Sequence, residues 1–306
     1  MRIEDQRRSD NFEDRGTGSG GGGGGGVPIQ ALFGLVQVLG VKGTLIVGVV
    51  GVIAFLVMPS GVRDGVLGAL TGGGEGAPAA AGGGSVCQAS QANGAACDFS
   101  RTVLASTEDV WTSIFERGTL PAYGSSPGTY RDPTLVVFAN SVSTGGCGDA
   151  TSATGPFYCP GDRKLYVDPS FYDVMAKRLH APGDFAQAYV IAHEVGHHVQ
   201  NLIGAPRQPS RGETANQTSV RVELQADCFA GVWGRTARAT LQITDEDLGE
   251  ALNAAHAIGD DTLGHSDERT FTHGSSEQRK RWFRRGFESG DARQCDTFGV
   301  QNYREL

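Results

Sequence analysis

The chain has 306 residues, 46 of them glycine, and a net charge of −8. That length permits one sizeable core with room for appended segments. The acidic balance argues against a surface built mainly for nucleic acid. The only basic cluster, Arg279 to Arg285, encloses Trp282 and Phe283 and reads as a solvated helix face carrying two buried aromatics.

Residues 1–42 read as a Gly-rich, disordered, cytoplasmic segment. Gly16 to Gly26 is broken only by Thr17 and Ser19, and such a tract loses too much backbone entropy on ordering to join a core. Gly43–Val62 is a 20-residue stretch without a charge, bracketed by Lys42 and Arg63. Twenty residues of helix cover about 30 Å, the apolar thickness of a bilayer. The expectation is a single transmembrane anchor, with apolar Ala31–Val41 as an alternative start because Pro59 interrupts the far end. The excess of Arg and Lys before the run puts the N-terminus in the cytoplasm. Residues 63–85 form a second Gly/Ala linker, and 86–306 the folded domain.

All six cysteines (Cys87, Cys97, Cys147, Cys159, Cys228 and Cys295) follow the apolar run. An even number on one side suits disulfides in an oxidising compartment. Six cysteines allow about 15 pairings. Proximity favours Cys87 with Cys97 and Cys147 with Cys159, leaving Cys228 for Cys295. No C-x-x-C pair points to a cysteine metal site.

Within the domain, Thr102 to Phe115 has helical spacing, Thr134 to Asn140 and Lys164 to Val167 read as strands, and Phe171 to Leu179 as a helix. Asp184 is placed to cap a helix over Phe185 to Ile203, stopped by Gly204. A Pro/Ser/Gly/Asn-rich loop, Ala205 to Thr218, precedes a helix from about Ser219 to Ala239. Thr244 caps another helix, with Asp247 three residues on, and Ser275 a last one, with Gln278 in the capping-box position. The fold class expected is α+β, mostly helical with a small sheet.

The helix over Phe185–Ile203 contains His193-Glu194-Val195-Gly196-His197-His198. Residues four apart share a helix face, so His193 and His197 can reach one cation, while Glu194 is turned toward a bound water. A catalytic Zn2+ needs a third protein ligand and an open position. The extended H-E-x-x-H-x-x-G-x-x-H pattern fails, because Gln200 and Ile203 stand where Gly and His are required. Glu223, 26 residues beyond His197, supplies the ligand instead, and Asp227 shares its helix face and would hold a ligand imidazole, His193, by its far nitrogen. Glu213 is a rival third ligand in a loop. His198 points off the ligand face and reads as structural. Glu194 would serve as general base. His273, just before the capped helix, is the candidate second electrophile for a tetrahedral oxyanion.

At these residues the chain resembles the bacterial neutral zinc metallopeptidases, a gluzincin-like family of membrane-anchored proteins. Arg8-Ser9-Asp10-Asn11-Phe12-Glu13-Asp14-Arg15-Gly16 is similar to the family's opening block R-x-S-D-N-V-E-D-R-R-G, departing from it at Phe12 and over Gly16–Gly18. Gly155–Pro160, His193–Gln200, Glu223–Cys228 and Thr272–Ser276 are similar to later blocks. The resemblance implies a zincin-like fold, zinc, and hydrolysis of a peptide or protein substrate. With the apolar run it implies a single-pass protein of the bacterial cytoplasmic membrane with its catalytic domain outside. It strengthens His273 and Asp227 as site residues. A contrasting reading is a membrane-tethered binding or assembly factor that keeps zinc structurally, without peptidase activity.

Overall fold

The computed structural model describes residues 1–17, 84–124, 128–209 and 212–306. In chain order the elements are β1 (Phe12–Thr17), α1 (Gln91–Arg117), β2 (Thr134–Ala139), β3 (Ser141–Ser143), β4 (Asp149–Thr151), β5 (Phe157–Cys159), β6 (Lys164–Val167), α2 (Ser170–Lys177), α3 (Asp184–Ile203), α4 (Ala215–Ala237), α5 (Asp245–Ala257) and α6 (Ser276–Ser289). The domain is α+β, as expected.

The main sheet has the order β1-β2-β6-β5. Strands β1, β2 and β6 are parallel, and β5 runs antiparallel to β6, with Phe157 opposite Tyr166. Strand β2 is apolar on both faces because both are covered. Leu135, with Leu165 and Val167, joins the helical core, whereas Val136 and Phe138 join Tyr166, Cys159 and Val142 in a cluster on the other side. The short edge strand β5 borders the site described below.

Helix α3 is the centre of the domain and is buried nearly all round, from Phe185 to Ile203. It ends at Gly204, whose φ of 66° supplies the left-handed turn that closes the helix. Asp184, expected as its cap, is instead the first helical residue, and Gly183 is the cap. Gly196 lies against α4: a Cβ there would stand 2.9 Å from the Ala226 carbonyl oxygen. Glycine at the centre of the H-E-x-x-H segment therefore lets the two helices approach closely. Helix α4 starts earlier than expected, because Thr214 and Gln217 form a reciprocal capping box: the Gln217 amide donates to Thr214 Oγ1 at 3.2 Å and the Thr214 amide to Gln217 Oε1 at 2.9 Å. The expected boxes at Thr244/Asp247 and Ser275/Gln278 also form. So do the three disulfides, Cys87–Cys97, Cys147–Cys159 and Cys228–Cys295.

The amino-terminal residues require a correction. Residues 1–17 are not a disordered tail: β1 is the sheet's outer parallel strand. It is tied down by the Ser9 hydroxyl on Glu108 at 2.5 Å, the Asn11 side-chain amide on Glu108 at 2.9 Å, and the Arg101 guanidinium on the Ser9 carbonyl at 2.9 Å. At the far end of the Gly-rich region, Asp14 accepts from the Val86 and Cys87 amides, both at 3.0 Å.

The transmembrane helix expected over Gly43–Val62 lies outside the described residues, as does most of both glycine tracts. Among the described residues no helix is long and apolar enough to cross a membrane. The strand pairing also opposes a single crossing. The Thr17 amide donates to the Gly84 carbonyl at 3.1 Å. A chain that crossed a bilayer once between those two residues would leave β1 and β2 on opposite faces. The single-pass arrangement, with its extracytoplasmic domain and cytoplasmic N-terminus, is therefore corrected.

Candidate metal centre

Helices α3 and α4 bring together the three groups expected to share an ion. His193 Nε2 is 3.2 Å from Glu223 Oε2, and His197 Nε2 is 3.5 Å from Glu223 Oε1. One ligand-type atom from each of the three lies within 4.8 Å of the others. This cluster could hold one divalent cation.

The outward nitrogens of both rings are anchored. His193 Nδ1 faces Asp227 Oδ1 at 2.8 Å, and His197 Nδ1 faces Gln200 Oε1 at 2.8 Å. With Nδ1 held by an oxygen in each ring, both Nε2 atoms face the cluster, the orientation that ligation needs. Gln200 is itself fixed, donating to the Val222 carbonyl at 2.6 Å and to Gln225 Oε1 at 3.2 Å. Its place three residues after His197, one turn along the same helix, is the local signal for this role.

Asp227 is wholly buried and surrounded by donors. It accepts from the Tyr189 hydroxyl at 2.5 Å, and from Arg279 Nε at 2.8 Å and Nη2 at 2.9 Å. Arg279 belongs to the basic cluster expected to be a solvated face, yet it is only 2% exposed. Its Nη1 also donates to the Ile258 carbonyl at 3.2 Å, just after α5. Three helices thus converge on one carboxylate.

The electrostatics follow from this crowding. Burial opposes a proton on His193, but the field and hydrogen bond of Asp227 outweigh it and raise the ring to about 10. Burial drives His197 down to about 4 against the pull of Glu223. Burial likewise opposes ionisation of Glu223, yet His197 and His193 hold it below the usual carboxylate range. Glu194, 8% exposed, is pushed up to about 7 by burial, with the His193 charge and the Tyr158 backbone amide among the opposing influences.

A cleft of about 420 Å³ opens on the cluster and is lined by Glu194, His193, His197, Glu223, Tyr158 and His273 among others. The His273 side chain is half exposed and its Nδ1 is 3.2 Å from Asp260 Oδ1. Asp260, 13 positions before His273 and without a local sequence signal, also accepts the amides of Thr272 at 2.8 Å, His273 at 2.7 Å and Gly274 at 3.0 Å. It fixes both backbone and ring of the His273 turn. Glu213 is not in the cluster and pairs with Arg221 Nε at 3.0 Å. His198 is buried away from the cleft, between the Tyr158 hydroxyl at 3.0 Å and the Arg131 carbonyl at 2.6 Å.

Two anchored imidazoles, a carboxylate joining them and a second buried carboxyl group beside them make a cluster that could hold one metal ion, open to a cleft. The chain belongs to the family described as "Putative neutral zinc metallopeptidase", which it matches over residues 1–298. It is similar to the "Uncharacterized protein YpfJ" of Escherichia coli (strain K12), 51% identical over 212 residues covering 66% of this chain and 71% of that protein. It is also similar to the "Uncharacterized protein Rv2575" of Mycobacterium tuberculosis (strain ATCC 25618 / H37Rv), 43% identical over 188 residues covering 56% of this chain and 64% of the other. No solved structure matches the chain.

Proposed function

We propose that the chain hydrolyses peptide bonds as a zinc metallopeptidase, with His193, His197 and Glu223 as the metal ligands. One observation carries the reading: three ligand atoms lie within 4.8 Å of one another, and the Nδ1 of each imidazole faces an oxygen behind it, so that Nε2 faces the cluster. The donor set of two imidazole nitrogens and one carboxylate fits zinc, and the family description agrees.

When bound, zinc supplies a Lewis acid and a water of lowered pKa. Glu194 is the general base. Its buried carboxylate sits near neutrality, so it can take a proton from the attacking water and later pass it to the departing amine. Asp227 and Gln200 orient the ligand rings. His273, which lines the cleft and is held by Asp260 at Nδ1, donates to the oxygen on which negative charge develops.

The purified full chain is assayed for zinc content and for cleavage of an unfolded protein, beside Glu194→Gln. This isosteric change retains metal and fold and lowers turnover by roughly 10²–10⁴-fold. If Glu194→Gln cleaves as fast as the parent, the mechanism is wrong, and the reading of a zinc-containing binding factor takes its place.

A further inference from the structure

Two hollows meet at the ligand cluster, and their walls differ in chemistry. The first is the 420 Å³ cleft that holds Glu194 and His273. One of its walls is apolar, built from Phe157, Phe171, Val190, Ile258 and Leu263. Leu263 is 50% exposed and is the sole exposed large hydrophobic residue among those described. It stands on a turn pinned at both ends, its amide on the Gly259 carbonyl and the His265 amide on the Asp260 carbonyl, both at 2.9 Å. A lone exposed leucine is ordinary on a protein surface. One that continues an apolar wall into solvent, above a reactive cluster, is an unfinished contact surface.

The second hollow, about 430 Å³, is entered at Tyr158, His197 and Glu223 and continues to Arg207, Thr218 and Ser219. Among the described residues, Arg207 is the only cationic side chain on its lining, and the only carboxylate there, Glu223, faces the two imidazoles. Arg207 has no hydrogen-bond or ion-pair partner among the described residues, and Glu213, a few residues on, is engaged by Arg221. Burial raises the Tyr158 hydroxyl, and the charge of Arg207 is among the influences opposing this, so the guanidinium is within electrostatic reach of the strand that borders the cluster. An exposed guanidinium without an anion among the described residues, on the lining of a pocket leading from the cluster, presents the planar fork that binds carboxylates two hydrogen bonds at a time.

Resting on the peptidase reading, we propose that the substrate is an extended peptide with a bulky apolar side chain against the Leu263 wall and, across the scissile bond, a carboxylate on Arg207. That carboxylate is either an Asp or Glu side chain or the substrate's own C-terminus. The two hollows then act as subsites that meet at the ligand cluster, with Glu194 in the first.

The test uses the zinc-loaded full chain and one quenched fluorescent peptide frame. One position carries Phe or Ser, and the position across the scissile bond carries Glu, Gln or Lys, each with a free or an amidated C-terminus. Mass spectrometry identifies the bond cut. The parent should prefer Glu over Gln by about tenfold in kcat/KM, the equivalent of one charge-assisted contact, and Phe over Ser by a similar factor. R207Q should bring the Glu-to-Gln ratio to about one and R207E should invert Glu against Lys, while L263S should flatten only the Phe-to-Ser ratio. Equal cleavage of free and amidated Glu peptides identifies the side chain as the carboxylate, and cleavage of free ends alone identifies the terminus.

A parent that cuts Glu, Gln and Lys peptides alike whether their ends are free or amidated, or an R207Q that slows free and amidated peptides of all three kinds equally, overturns the proposal. A parallel arm measures binding of the same peptides to the Glu194→Gln chain by fluorescence anisotropy. Absence of any cleavage, with tighter binding of the Glu peptide that R207Q abolishes, removes the peptidase reading and leaves the subsite. Cleavage with no discrimination in either arm removes the subsite and leaves the peptidase.

Discussion

Replacing Arg279 by Gln removes the cation from a carboxylate that has no access to water. Asp227 is fully buried, and two of its four closest donors are Arg279 Nε at 2.8 Å and Nη2 at 2.9 Å. Burial opposes ionisation of Asp227, and the Arg279 charge is the largest influence holding it below the usual range. Deleting one partner of a buried pair costs about 3–5 kcal/mol, because the remaining charge stays desolvated. The tie from Nη1 to the Ile258 carbonyl, 3.2 Å in the parent, is lost as well. Against a typical domain stability of about 5–15 kcal/mol, such a loss is readily measured. Urea unfolding of the metal-free chain gives the stability, and a cycle with Asp227→Asn gives the coupling. The double variant should be more stable than the sum of the singles predicts, by at least about 2 kcal/mol. Zinc affinity, measured by competition with a chelator, should fall about 10–100-fold, since Asp227 no longer holds the His193 ring. A loss under about 1 kcal/mol, or two single effects that simply add, would refute the account of Arg279 as the partner that keeps Asp227 ionised and aimed.

Gln200→Leu keeps the volume but takes the acceptor from His197 Nδ1, so zinc affinity should fall about tenfold with little change in far-UV circular dichroism; an unchanged affinity contradicts the anchoring role. Glu194 is pushed up to about 7 by burial, and a nearby cation favours its carboxylate, so kcat/KM should rise with pH with its midpoint at or below about 7. The sign follows because the base works only when ionised: activity is lost as pH falls through its pKa. A profile flat from pH 4 to 8, or one that Glu194→Asp leaves in place, would contradict this assignment. The Cys228–Cys295 disulfide closes a separation of 67 residues, so Cys228→Ala with Cys295→Ala should cost about 4 kcal/mol by the loop-entropy relation, read from thermal unfolding without reductant; no change in Tm would contradict it.

Much of the centre was legible because its parts are local. Two histidines four apart, and Glu223 with Asp227 four apart, declare their shared faces through helix periodicity alone. Gly204 as a helix stop and the capping boxes at Thr244 and Ser275 are likewise short-range signals, as are the two disulfides that close short loops. Arg279 was misread for the same reason. Its neighbours Lys280, Arg281, Arg284 and Arg285 make the segment read as a solvated charged face, and nothing nearby marks the one arginine that turns inward.

The sequence by itself determined which candidate residues stand at ligand spacing and how they are spaced along their own helices. The tertiary structure alone decided that Glu223 meets the two imidazoles, that Arg279 reaches Asp227 across 52 positions of chain, that Asp260 holds His273, and that the N-terminal strand returns to the same sheet as the rest of the domain. The physical reason is that periodicity and capping arise from hydrogen bonds within a few residues, whereas these pairings come from the packing of α3 against α4 and α6 and from strand order in the sheet. In this chain a glycine at 196, with no Cβ to hold the helices apart, lets α3 and α4 close to the distance at which their side chains can share an ion.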